Sequence, residues 1–201
     1  MNLKDLIGSR TAAVHGPSEA ISSAIDRSIR LAASAYIDLG NLGASFPCLS
    51  DPSKCETGFT LAMWVRLYYT RESHNAIVGN GGLSKNLLGL DLVMNYIGKE
   101  RIATVQITGS QEKCTKTFGF YYQNLWMHYA VVWTKSKKVK IYIDTAGSTG
   151  TCEKKAIDFP KGDNYRLGPV SKDLTIDDMV MWNEDLTSTR FKKIMEHEEG
   201  K

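Results

Sequence analysis

From Ser28 onward the chain alternates apolar and polar residues in twos. "SIRLA" and "AYIDLG" have the period of half-buried strands. "GFTLAMWVRLYY" is longer. Phe59, Leu61, Met63, Val65 and Leu67 share one face, and Thr60, Ala62, Trp64, Arg66 and Tyr68 share the other. Both faces carry bulk, which predicts a strand set between two layers or crossing a sheet interior. "NAIVGNGG", "LLGLDLVMNY" and "RIATVQIT" follow. Asn80-Gly81-Gly82 is a turn signal, because Asn and Gly tolerate positive φ. "WMHYAVVWT" and "KVKIYIDT" flank a basic hairpin, "KSK". Met127, Tyr129, Val131 and Trp133 share a face. On the partner strand Val139, Ile141 and Ile143 oppose Lys138, Lys140 and Tyr142.

"LTIDDMVMW" is the last long strand. "TSTRFKKIMEHEE" then turns helical, with Thr187 as a cap and Phe191, Ile194 and Met195 at i, i+3 and i+4. About ten to twelve strands without alternating helices predict an all-β, antiparallel two-sheet β-sandwich with a short C-terminal helix. Residues 1–28, including "TAAVHGPSEAISSA", read as a lead-in segment or linker, 29–196 as the sandwich and 197–201 as a tail.

Four cysteines add to this picture: Cys48, Cys55, Cys114 and Cys152. An even count in a β-rich chain points to disulfides and an oxidising compartment. Zinc knuckles space their cysteines by two to four residues. Here six residues separate Cys48 from Cys55, and 37 separate Cys114 from Cys152. Neither pair has that spacing, and there is no Cys-x-x-Cys redox pair. Free thiols and metal ligation are the rival readings. Of the three possible pairings, Cys48–Cys55 with Cys114–Cys152 is preferred, because each bridge then staples a loop around its own hairpin. Asp51-Pro52 favours the turn that the first bridge needs.

Composition narrows the function classes. A net charge of +3, from 25 Lys and Arg against 22 Asp and Glu, is too even to argue for nucleic acid. No apolar run approaches the ~18 residues of a membrane span, so no direct membrane insertion is expected. "MNLKDLIGSR" does not read as a secretory signal. Met1 therefore opens either an intracellular protein or an excised part of a longer one. The cysteines favour the second.

In order, "AYIDLG", "GFTLAMWVRL", "AIVGNGG", "WMHYAVVWTKSKKVKIYID" and "RLG…LTIDDMVMWNEDLTSTRFKKI" resemble a laminin-G-like or pentraxin-like domain, the concanavalin A-like jelly roll. The resemblance spans roughly 29–194. It rests on Gly58-Phe59-Thr60 leading to Trp64, and on Ile176-Asp177-Asp178 leading to Trp182 and Leu186. It implies an extracellular or cell-surface recognition or adhesion module with a protein or glycan partner, and no nucleic acid. Pentraxins join these strands by a disulfide at the positions of Ala62 and Ala130, so two small residues would fill that gap here. The pentraxin calcium loop is reduced to "PVSKDLT", with too few oxygens for a double site. No cofactor is expected, with a single laminin-G-type calcium left open.

Catalysis is disfavoured. Glucanases of this fold align two carboxylates on one strand face. Asp177 and Asp178, as strand neighbours, would point to opposite faces. The histidines, His15, His74, His128 and His197, have no metal spacing, and His128 reads as a packed strand residue. Lys135, Lys137, Lys138 and Lys140 cluster at one hairpin, with Lys154, Lys155 and Lys161 as neighbours. They form the candidate site for a sulfated glycan or other polyanion. The competing reading is a lysine-blunted β edge. Tyr68, Tyr69, Tyr121, Tyr122 and Trp126 are candidate sugar-stacking residues, weighed against ordinary packing. A glycan-active enzyme remains the rival class.

Overall fold

Period-two patterning produces two stacked antiparallel sheets. The computed structural model describes residues 2–4, 11–22, 27–68, 75–80, 86–97, 100–120, 124–144, 146–168, 173–190 and 193. Strands are numbered in chain order. The nine-stranded sheet runs β1 (Asn2–Lys4), β2 (Thr11–His15), β5 (Tyr36–Gly40), β15 (Tyr165–Leu167), β7 (Asn75–Gly79), β8 (Gly89–Ile97), β9 (Glu100–Thr108), β10 (Glu112–Phe120) and β14 (Cys152–Lys154). The seven-stranded sheet runs β13 (Ala146–Gly150), β12 (Val139–Ile143), β11 (Trp126–Trp133), β6 (Phe59–Leu67), β16 (Leu174–Trp182), β4 (Arg27–Leu31) and β3 (Ser18–Ser22).

The core lies between the sheets. Phe59, Leu61, Met63, Val65 and Leu67 of β6, with Met127, Tyr129, Val131 and Trp133 of β11, face Leu90, Leu92 and Met94 of β8 and Val105 and Ile107 of β9. These are the faces that alternation predicts. Trp133 and Phe59 are among the largest fully buried side chains. Truncating either to Ala costs about 3–5 kcal/mol.

Three features add to the sequence reading. Residues 1–28, read as a lead-in segment or linker, supply described strands to both sheets: β2 pairs with β5, and β3 pairs with β4. Ala62 and Ala130 do not fill a gap between sheets. They are cross-strand partners within the seven-stranded sheet, on its outer face. The segment before β6 is not plain loop. It folds as α1 (Leu42–Ser45), α2 (Pro47–Ser50) and a 3₁₀ turn (Pro52–Lys54). The side chain of Asn41 accepts from Ala44 N at the start of α1, and Asp51 accepts from Ser53 N at the 3₁₀ turn. At the C-terminal end, Arg190 N donates to Thr187 Oγ1 at 3.3 Å, so Thr187 does cap a helical turn. Phe191, Ile194 and Met195 lie outside the described residues, as do Gly81 and Gly82 of the expected turn.

One irregularity positions the site. In β16, Asp177 stands opposite Trp64 but Val180 stands opposite Ala62, so one extra residue is accommodated. Asp178 takes it up at φ +42°, and its N–H donates to Asp177 Oδ1. Asp tolerates this region better than most residues. Beyond the bulge the parity is reversed. Met179 and Met181 pack on the core, and Trp182 turns outward.

Candidate recognition face

Both bridges form as expected: Cys48–Cys55 and Cys114–Cys152. Cys114 and Cys152 are direct cross-strand partners of β10 and β14. Among the described residues no group of three His, Cys, Asp or Glu side chains could hold a metal ion.

The hairpin lysines have different surroundings. Lys137, at φ +56°, turns its ammonium onto the carbonyls of Pro52, at 3.3 Å, and Cys55. Trp133 Nε1 donates to the same Pro52 carbonyl at 3.0 Å. The Lys137 carbonyl oxygen lies 3.1 Å from Cys152 Sγ. Lys135 sits 4.0 Å from Asp185 Oδ1. Lys138 and Lys140 face outward on the seven-stranded sheet, opposite in parity to buried Val139 and Ile141. Lys154 ends the edge strand of the other sheet, followed by exposed Lys155. Lys161 bridges to Leu88.

A different constellation occupies the outer face of the seven-stranded sheet. Along β6 its outward residues are Thr60, Ala62, Trp64 and Arg66. Across on β11 stand Val132, Ala130, His128 and Trp126, and on β16 Trp182, Val180, Asp177 and Thr175. Tyr142 of β12 continues the alanine row. Ala62 and Ala130 are buried at the centre of this face. Trp64, Trp126, Tyr142 and Trp182 pack against them, and all but Trp64 are only half buried. Tyr142 lies against Gly147, where a Cβ would stand 2.5 Å from Tyr142 Cε1. His128 meets Trp64 edge-on, with centroids 4.9 Å apart. Burial lowers its pKa to about 4, so the ring is neutral at physiological pH.

At one end the face becomes cationic. The Arg66 guanidinium stands 5.2 Å from the centre of the Tyr68 ring, and that of Arg30 5.0 Å from the same ring. Arg30 is neutralised by Asp173, with Nε at 3.1 Å from Oδ2, and is 4.0 Å from Glu19. Thr60, at the other end, receives Leu186 N–H and donates to the Glu184 carbonyl, fixing the chain after Trp182.

The concanavalin A-like lectin/glucanases superfamily model matches residues 39–190. The chain belongs to that superfamily. Among curated proteins, none matches it. Solved structures of similar fold include the receptor-binding domain of botulinum neurotoxin C/D mosaic serotype (TM-score 0.67, 12% identity, covering 92% of this chain and 46% of that one). A botulinum neurotoxin type C structure, described with two ganglioside molecules in cell entry, has TM-score 0.66 at 12% identity over 93% and 46%. The binding domain of botulinum neurotoxin DC in complex with rat synaptotagmin II has 0.62 at 13% over 93% and 46%. This superfamily member thus spans less than half the length of each neighbour, and at such identity the likeness establishes the jelly-roll fold.

Of the five aromatic residues singled out in the sequence, Tyr68 and Trp126 reach the outer face of this lectin-like sandwich, while Tyr69, Tyr121 and Tyr122 lie outside the described residues. Trp64, Tyr142 and Trp182 were missed as site residues. For Trp64 and Tyr142 the signal was present: both sit on the non-core parity of their strands. For Trp182 it was hidden by the bulge at Asp178.

Proposed function

We propose that this chain is a non-catalytic recognition module, acting outside the cell or at its surface, that receives a glycan on the outer face of its seven-stranded sheet. The aromatic ring set around Ala62 and Ala130 carries the reading. A solvated sheet face is ordinarily polar; here three aromatic side chains pack over the buried Ala62 and Ala130 and keep part of their rings in solvent. Sugars present C–H faces that stack on such rings. The two disulfides fit an oxidising compartment. A glycosidase needs two carboxylates flanking the bond; the acids on the three central strands are the immediate neighbours Asp177, buried and bonded to the bulge backbone, and Asp178, exposed at the bulge itself, which leaves no room for a sugar bond between them.

A protein partner is the second reading. It is favoured by Leu125, the one exposed large apolar side chain among the described residues, which adjoins Trp126.

Screening the protein on immobilised glycans, with and without calcium, tests the first reading. Retention on at least one glycan, lost in Trp126→Ala and Tyr142→Ala variants that unfold at the wild-type temperature, is the expected result. Turnover of a β-glucan panel would contradict it, as would retention indifferent to both substitutions.

A further inference from the structure

Two arginines stand in one cross-strand row of the seven-stranded sheet. The row reads Trp126, Arg66, Thr175, Arg30, Glu19. The fold treats the two differently. Arg30 has a carboxylate against its guanidinium, Asp173, and a second, Glu19, at 4.0 Å. Arg66 has none among the described residues. Its ring neighbour Tyr68 is shared with Arg30, and its Nε is buried without a hydrogen-bond acceptor. Asp177, in the next row, spends an oxygen on the Asp178 N–H.

A half-buried guanidinium with a stranded N–H is costly. Its cross-strand partner is Trp126, a half-buried ring, and Trp126 follows Leu125, which is 55% exposed. A planar fork matches a carboxylate in bidentate geometry, which an ammonium does not. Resting on the glycan reading above, we infer that the ligand is an acidic sugar. Its carboxylate sits on Arg66, and its ring stacks on Trp126. Arg66 thus supplies charge selection at the Trp126 end of the face, while Lys140 stands in the Val132–Thr60 row at the other end. Arg30 does not compete, because its fork is already occupied.

The test uses the intact protein and pairs of oligosaccharides of glucuronic, galacturonic and sialic acid, each with its methyl ester. Esterification removes the charge and keeps the sugar. At least one acid binds, and its ester binds about tenfold more weakly or worse, a loss of about 1.4 kcal/mol or more. Arg66→Met lowers binding of the acid towards the level of the ester and weakens the ester by a smaller factor, since a neutral ester carbonyl accepts only weaker hydrogen bonds from the fork. Arg66→Lys recovers only part, since charge returns without the fork. Thermal unfolding of both variants at the wild-type temperature confirms an intact sheet.

Equal affinity for acid and ester overturns the inference, as does acid binding that survives Arg66→Met. Neutral sugars bound in a Trp126-dependent manner, with acids bound no better, overturn the acidic preference and leave the glycan reading standing. Failure of every sugar, acid and neutral, overturns both.

Discussion

His128 is kept neutral at physiological pH by the ring of Trp64 and the sheet around it. In an unfolded chain it titrates near 6.5, and in the fold at about 4. Between those values the unfolded state takes up a proton that the native state does not. Stability is therefore complete above the higher value, falls as pH drops towards the lower one, and levels off below it. The limiting loss is roughly 3 kcal/mol. Urea unfolding of the wild type and of His128→Gln from pH 7.5 down to about 4.5 measures it. The wild type loses stability more steeply; equal slopes would show that His128 does not carry the effect. Lys137 makes a second residue-scale case. Its ammonium holds two carbonyls of the Cys48–Cys55 loop, so Lys137→Met is expected to lower stability by about 1–3 kcal/mol. Heparin retention, read in the same variant, stays at the wild-type level. Sequence adjacency grouped this lysine with its neighbours because a run of lysines looks like one patch. The direction taken by a long side chain depends on which carbonyls the tertiary fold brings within reach.

At the scale of elements, alternation alone located the long strands, since a two-residue period survives in β6, β11 and β12 without any knowledge of partners. It failed where pairing departs from one residue per residue. Counting along "LTIDDMVMW" puts Trp182 on the core side with Ile176; the bulge at Asp178 sends it out. The backbone there predicts a contrast: Asp178→Gly leaves stability unchanged or slightly higher, whereas Asp178→Val costs about 1–2 kcal/mol, because a β-branched residue resists positive φ. Thermal melts of the two variants distinguish them. Deleting Asp178 would restore simple parity and drive Trp182 inward, and loss of Trp182 fluorescence quenching by acrylamide would report it. The helices α1 and α2 were invisible for another reason: four residues are shorter than any helical periodicity.

For the whole molecule, the sandwich was legible because two apolar faces need each other, and the edge strands were less so. β2 and β3 lie in a stretch of small and polar residues with a Gly16-Pro17 break, which carries little pattern of its own; the sheets recruit it by backbone pairing. The staples are global in a different sense. Loop-closure arithmetic assigns about 2.5 kcal/mol to Cys48–Cys55 and about 4 kcal/mol to Cys114–Cys152. Denaturant titration of each double-alanine variant is expected to show losses in that order. Yet Lys137, inside the loop that Cys114–Cys152 closes, touches both cross-linked segments. Lys137 reaches the first through its ammonium and the second through its carbonyl oxygen. Closing the local bridge presents Pro52 and Cys55 to the hairpin, and the seated hairpin in turn holds the oxygen against which Cys152 rests. The two cross-links are then thermodynamically linked rather than additive, so that removing both is expected to cost at least about 0.5 kcal/mol less than the two separate losses together, a coupling that Lys137→Met should abolish.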